Sequence, residues 1–254
     1  TFVAWLVTRT DLPYMTFMKS LFLVPFMLPS FIGALAWKML LSPHAGYINK
    51  WFMATFNTTE PLFNIYTYHG ISCVEVMYLF PFVFIQVCGA LERMDPTLEE
   101  SARISGAGLF TITRKITIPL VLPSIMSGAL LIMLYSMAHF GTVADLGIEQ
   151  GIYNIPTLIY EKIHESAGSF ASIRTGTVLA TVLIVSAACI IWAQQKVLSK
   201  GHYQIIGGKS FRPMELKLRG LRYPLLFFCL AYIGFTILLP TMVIFMVGGV
   251  ETYG

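Results

Sequence analysis

Glu100-Ser101-Ala102-Arg103-Ile104-Ser105-Gly106, followed nine residues later by Ile116-Thr117-Ile118-Pro119, is the segment on which the architecture of this chain turns. The segment is polar, charged and compatible with a helix, yet apolar runs long enough to cross a bilayer flank it on both sides. An ordinary surface loop is the plain alternative. A structured, glycine-punctuated loop between two spans points instead to a soluble partner that docks there.

Local physics predicts a short helix in this loop. Pro96 can open it, because a first-turn residue needs no amide donor, and Asp95 is placed to cap it. Glu99 and Glu100 fall in the early turns, where the helix dipole favours acids. Glu100 and Arg103 are three apart and can pair across one turn. Ala102 and Ser105 keep one face thin, and Gly106 and Gly108 permit the chain to stop and turn. Phe110, Ile112, Ile116 and Ile118 then anchor the segment back to apolar surroundings, with Pro119 and Pro123 marking re-entry into the next span. The face predicted to act is Glu100, Ala102 and Gly106.

The rest of the chain sets this loop in a membrane. Of 254 residues, 56% are apolar and 12% charged, with mean hydropathy +0.71; soluble domains carry about 25% charge. Five helical spans are predicted at residues 20–41, 69–91, 120–140, 174–195 and 223–247, after a stub at 2–7 that reads as the end of another. Pro25 and Pro29 predict a kink in the first full span. Residues 42–68 carry Trp51, Phe52, Tyr66 and Tyr68, which suits an interfacial loop with a short surface helix. Nothing shows the ~10-residue alternation of a membrane barrel. The connections at 8–19, 92–119 and 196–222 hold 13 of the 17 Lys and Arg residues, which puts those three in the cytoplasm. Asp145, Glu149, Glu161 and Glu165 cluster on the other side. Cys73, Cys88, Cys189 and Cys229 all lie in apolar runs without CxxC spacing and read as small hydrophobes. The chain opens on Thr1 inside an apolar run and stops soon after another, so we expect it to be a piece of a longer protein.

The pattern E-x-A-x3-G-x9-I-x-[LI]-P resembles the EAA loop of ABC importer permeases, with Ser101 where the second position is usually Ala. Further stretches resemble the branch of that family that fuses two transmembrane domains in one chain. They are AWLVTRTDLP (4–13), LVPFMLPSFIGALAW (23–37), LERMDPTLEESARISGAG (91–108), HFGTVADLG (139–147) and GHYQIIGGKSFRP (201–213). This resemblance implies an all-α, polytopic transmembrane bundle of the type I ABC importer kind. It implies that Glu100, Ser101, Ala102, Arg103, Gly106, Ile116 and Pro119 belong to a coupling element moved by an ATPase subunit. Residues 1–196 are then a first transmembrane domain with its coupling loop at 92–119, residues 197–222 a cytoplasmic linker, and residues 223–254 the start of a second domain. The implied partners are two ATP-binding subunits, an external or periplasmic substrate-binding protein and the lipid bilayer of a bacterial or archaeal inner membrane; no nucleic acid is expected. Gly208-Lys209 in the linker resembles the ferric-iron type, so ferric iron is the expected cargo, with thiamine, polyamines, sugar phosphates and phosphonates as alternatives.

Ionisable residues within spans are functional candidates by default. Glu75 lies about two turns into its span, and His139 closes another span ahead of Asp145; these three are the candidate transport-path residues. Two readings of Glu75 and His139 stand open. They either meet a cationic substrate, for which carboxylate and imidazole are suitable groups, or they satisfy each other and nearby carbonyls. No phosphate-binding loop is complete: Gly207-Gly208-Lys209-Ser210 ends like GxxxxGK[ST], but Tyr203 stands where its first Gly belongs. No cofactor is therefore expected on this chain, and ATP with Mg²⁺ belongs to the partner subunit. An ion-coupled secondary transporter is the rival class, with Glu75 as its one carboxylate inside a span; an integral-membrane enzyme would have to use the acidic loop from Asp145 to Glu165.

Overall fold

The computed structural model describes residues 1–165, 170–200 and 218–250, and their elements are all helical. Helices α1 (Phe2–Arg9), α2 (Met15–Leu21), α3 (Val24–Met27), α4 (Ser30–Leu41) and α5 (Tyr47–Phe56) precede the long α6 (Tyr68–Arg93). The polar loop after α6 carries α7 (Thr97–Ile104). Next come α8 (Leu109–Ile112), a π turn at Thr113–Thr117 and α9 (Ile118–Ala138), then α10 (Gly141–Leu146), α11 (Ile155–Glu165) and α12 (Phe170–Lys200). The described chain closes with α13 (Arg222–Ile233), a second π turn at Gly234–Leu238 and α14 (Leu239–Val250). The linker expected at 197–222, with its Gly208-Lys209, lies mostly outside the described residues.

Among the described residues four helical stretches are long and apolar enough to cross a membrane: Tyr68–Arg93, Leu109–Ala138, Phe170–Ser199 and Arg222–Gly248. The first full span expected, residues 20–41, is not one kinked helix. Met15–Met27 and Ser30–Leu41 meet at 91°. The cause is local. A residue before proline is pushed out of the helical region, and Leu28 is extended (φ −84°, ψ 134°) ahead of Pro29. A second difference concerns the loop. The span expected to start at Leu120 begins at Leu109, so Ile116 and Pro119 lie within a continuous helical stretch and not in the connection before it.

The chain forms two compact units. The first holds Thr1–Phe22, Phe80–Leu134 and Ala188–Leu230. Its buried residues include Leu6, Phe22, Phe84, Val87, Leu91 and Val121. There α6 and α9 approach closely, because a Cβ on Gly128 would stand 3.0 Å from the Cα of Val83. The second unit holds Leu23–Leu79, Tyr135–Ala187 and Ala231–Gly254. Trp37 is its centre, packed among Ala34, Leu40, Ile65, Val74 and Leu146, with the Phe235 ring 4.8 Å away.

The surface helix expected between residues 42 and 68 is α5, and one fully buried side chain holds its loop. Asn49 donates to the carbonyls of Leu41, Ser42 and Phe63 and accepts the Phe63 amide at 2.9 Å. The side chain thereby satisfies groups that otherwise have no helical partner. Asn49→Ala strands several of them, and we expect it to cost roughly 2–4 kcal/mol, read as a lower midpoint for unfolding of the reconstituted protein in mixed micelles.

Candidate functional site

Helix α7 starts and stops as its sequence dictates. The Asp95 carboxylate accepts the Thr97 amide at 2.9 Å, and the Pro96 carbonyl accepts the amides of Glu99 and Glu100. At the other end Gly106 takes φ +81°. Its amide bonds the Arg103 carbonyl and the Ala107 amide bonds the Ala102 carbonyl, the paired closure that ends a helix in the left-handed region. The helix is eight residues long and stands between two long apolar helices.

Two adjacent acids of α7 have opposite surroundings. Glu100 is exposed, as are Ser101, Arg103 and Gly106, while Ala102 is half-buried. The expected Glu100–Arg103 pair is not formed, which leaves both charges directed to solvent. Ile104 is 89% exposed at the tip, near Phe110 at 76%. Glu99, by contrast, is buried. It accepts the Thr117 hydroxyl at 2.7 Å and lies 3.7 Å from the Arg9 guanidinium. Arg9 is itself fully buried and donates to the Leu91 carbonyl, near the end of α6, at 3.0 Å. Burial pushes the Arg9 guanidinium below its ordinary pKa, and the Glu99 charge opposes that shift. Sequence reasoning misses Glu99 and Arg9 as a pair. Glu99 sits beside the motif acid with nothing local to separate the two roles, and its partner is 90 positions away.

The remaining loop residues belong to the π turn and the first turn of α9. Ile116, in the π turn, is half-buried, and Thr117 is buried. Pro119, exposed, falls two residues beyond the π turn. Proline offers no amide to the carbonyl four residues back and crowds it; shifting the preceding bonds to the wider π register accommodates that defect within a continuous helix. The same arrangement recurs at Gly234–Leu238 ahead of Pro240.

In the second unit the structure brings two of the three candidate path residues together. His139 Nδ1 lies 3.1 Å from Glu75, the Ser136 hydroxyl donates to the other Glu75 oxygen at 3.0 Å, and His139 Nε2 lies 2.7 Å from the Ser30 hydroxyl. The Asn154 amide group donates to the His139 carbonyl. This network ties α6 and the end of α9 to the first residue of α4, directly after the break at Pro29. Its groups bond one another. Asp145 stands apart. It pairs with Lys38 at 3.7 Å and lines an open recess of about 450 Å³ with Phe31, Leu35 and Phe140, a recess that neither Glu75 nor His139 lines. Among the described residues no three His, Cys, Asp or Glu side chains gather closely enough to hold a metal ion. The four cysteines are free, Cys88 and Cys229 buried and Cys73 and Cys189 exposed.

A polytopic helical bundle with a short, capped, outward-facing helix between two of its spans is the architecture of a membrane transport component. The chain belongs to the family of binding-protein-dependent transport system inner membrane components, whose model matches residues 2–195. It is 26% identical over 194 residues to the ferric transport system permease protein FbpB of Actinobacillus pleuropneumoniae, covering 76% of this chain and 27% of the relative. It is 27% identical over 198 residues to the molybdenum transport system permease protein ModB of Escherichia coli K12, covering 75% of this chain and 82% of the relative. The chain thus spans about a third or less of the ferric relatives it matches. In fold it is similar to a bacterial alginate ABC transporter crystallised with a pentasaccharide-bound periplasmic protein, with TM-score 0.63 at 17% identity over 78% of this chain and 70% of that one.

Two outcomes are expected from this geometry. Gly106→Ala keeps open space around the side chain but forces an L residue to φ +81°, at a cost of about 1–2 kcal/mol; faster amide exchange over residues 103–107 is the readout. A double-mutant cycle of Glu75→Gln and His139→Phe in the unfolding midpoint is expected to give a coupling of about 1–3 kcal/mol, and additive effects would contradict the pairing.

Proposed function

We propose that this chain is the permease part of an ATP-driven importer, receiving substrate from an external binding protein and passing it to the cytoplasm. The observation that carries the reading is the tip of α7. An isoleucine 89% exposed, on the same short helix as the exposed Glu100 and Arg103, sits on the connection between the stretches Tyr68–Arg93 and Leu109–Ala138. Exposed apolar residues ringed by charge mark a protein contact. On this reading Glu100, Ser101, Ala102, Arg103 and Gly106 form the docking element for an ATPase subunit, and Ile116 and Pro119 join it to the membrane helix. ATP with Mg²⁺ is bound and hydrolysed by that subunit, two copies of which serve a complete importer. Residues 1–196 act as a first transmembrane domain, 197–222 as a cytoplasmic linker and 223–254 as the start of a second, in the inner membrane of a bacterium.

For the cargo we propose ferric iron, supported by the linker resemblance and by the ferric relatives. The molybdenum relative matches at the same level of identity, so the two are compared directly in the test. Full-length permease in nanodiscs is titrated with its ATPase subunit. Ile104→Asp is expected to weaken binding at least tenfold, and unchanged binding overturns the docking reading. The assembled wild-type complex is then given binding protein loaded with ferric iron or with molybdate. Faster ATP hydrolysis with the ferric form supports the cargo; stimulation by molybdate alone overturns the cargo and leaves the importer standing.

A further inference from the structure

The Arg9–Glu99 contact is incomplete in a way that burial makes costly. Arg9 is fully buried, yet its Nε and Nη1 have no hydrogen-bond partner, and only Nη2 is engaged, by the Leu91 carbonyl. The Glu99 oxygen that faces Nη1 stops at 3.7 Å, beyond hydrogen-bond reach, while the other is held by Thr117. Buried donors without acceptors and a buried ion pair without a hydrogen bond both favour any movement that closes them. A shift of about 1 Å brings such a pair to charge-assisted distance. A groove opens beside the pair, next to the buried apolar residues of the first unit. Trp5 of α1, Leu91 of α6 and Phe110, Thr113 and Val121 from α8 to α9 line this groove of about 580 Å³. One carboxylate therefore links three elements: α7 that bears it, the π turn through Thr117, and α1 through Arg9, which also grips the end of α6.

We propose that Arg9 and Glu99 are positioning residues that transmit load between α7 and the membrane helices, and that their open ion pair closes when the soluble subunit presses on α7. This rests on the reading of α7 as the docking element. Glu100 faces the partner, and Glu99, one residue earlier, faces the protein, so a push received on one side of the helix is delivered by the other. Arginine suits this position because its planar head serves the Leu91 carbonyl and the Glu99 carboxylate at once, whereas a lysine offers a single point of charge.

The test uses the full-length permease in nanodiscs with its ATPase subunit, and Mg-ATP with vanadate as the probe. Amide exchange is followed over residues 2–9, which lie outside the docking face. Wild type is expected to show a nucleotide-dependent change in protection there. Arg9→Met/Glu99→Met removes both charges together and retains apolar volume, a replacement that buried pairs tolerate. It is expected to bind the subunit within threefold of wild type and to lose at least two thirds of the change over residues 2–9. Arg9→Lys, which keeps the charge and decides the matter if the double variant does not fold, is expected to lose at least half. A full change in either folded variant, or none in wild type, overturns the inference. Failure of the subunit to bind wild type is a separate result and overturns the docking reading instead.

Discussion

Hydrocarbon offers nothing to hydrogen-bond, so each backbone group in a span has to find its partner within the protein. Two prolines of this chain meet that constraint in the same way. Pro119 and Pro240 sit inside long apolar helices, and each is preceded by a π turn that redistributes the carbonyls a proline leaves unpaired. Pro29 has no such turn. There the helix breaks through 91°, and polar side chains take over. Ser30, His139, Glu75 and Ser136 bind one another beside the break. In the loop after α4 a side chain serves the backbone directly, Asn49 donating to the carbonyls of Leu41, Ser42 and Phe63.

The first unit has a different problem. Its short helix α7 has too few residues to be stable alone, and its exposed face is apolar at the tip. What fixes it is capping at both ends and one buried carboxylate. Asp95 and Gly106 define where the helix starts and stops, whereas Glu99 defines how it is turned, because its contacts with Thr117 and Arg9 leave Glu100 and Ile104 pointing away.

Both units also show how far local sequence reaches. Caps, left-handed glycine and span lengths are local or periodic signals, so α7, the four long helices and the surface helix α5 are legible in the chain. The pairing of Glu75 with His139 is one of two readings the sequence allows, because similar depth in two spans is itself a sequence quantity. The partners of Asp145 and Glu99 are not legible, since Lys38 and Arg9 are brought to them by packing over 107 and 90 positions. At Pro29 the sequence predicts a kink where the structure has a right-angle break. A proline announces a defect but not whether a wider turn or a sharp change of direction will absorb it.

The neighbouring acids of α7 show why a motif alone misplaces chemistry. Adjacent helical residues point about 100° apart, so two glutamates in succession cannot share an environment on a helix with one buried side. The motif spacing selects Glu100, and Glu100 is the exposed one. On the proposed docking reading Glu100 has to remain solvated until a partner arrives, because burying a charge early incurs the desolvation cost without the contact. The residue that holds the helix faces the opposite requirement: it is buried and meets its own protein. Helix geometry makes two consecutive acids an economical way to meet both demands, one on each side of a face narrowed by Ala102. The exposed position faces solvent, while the buried one meets its own arginine and threonine.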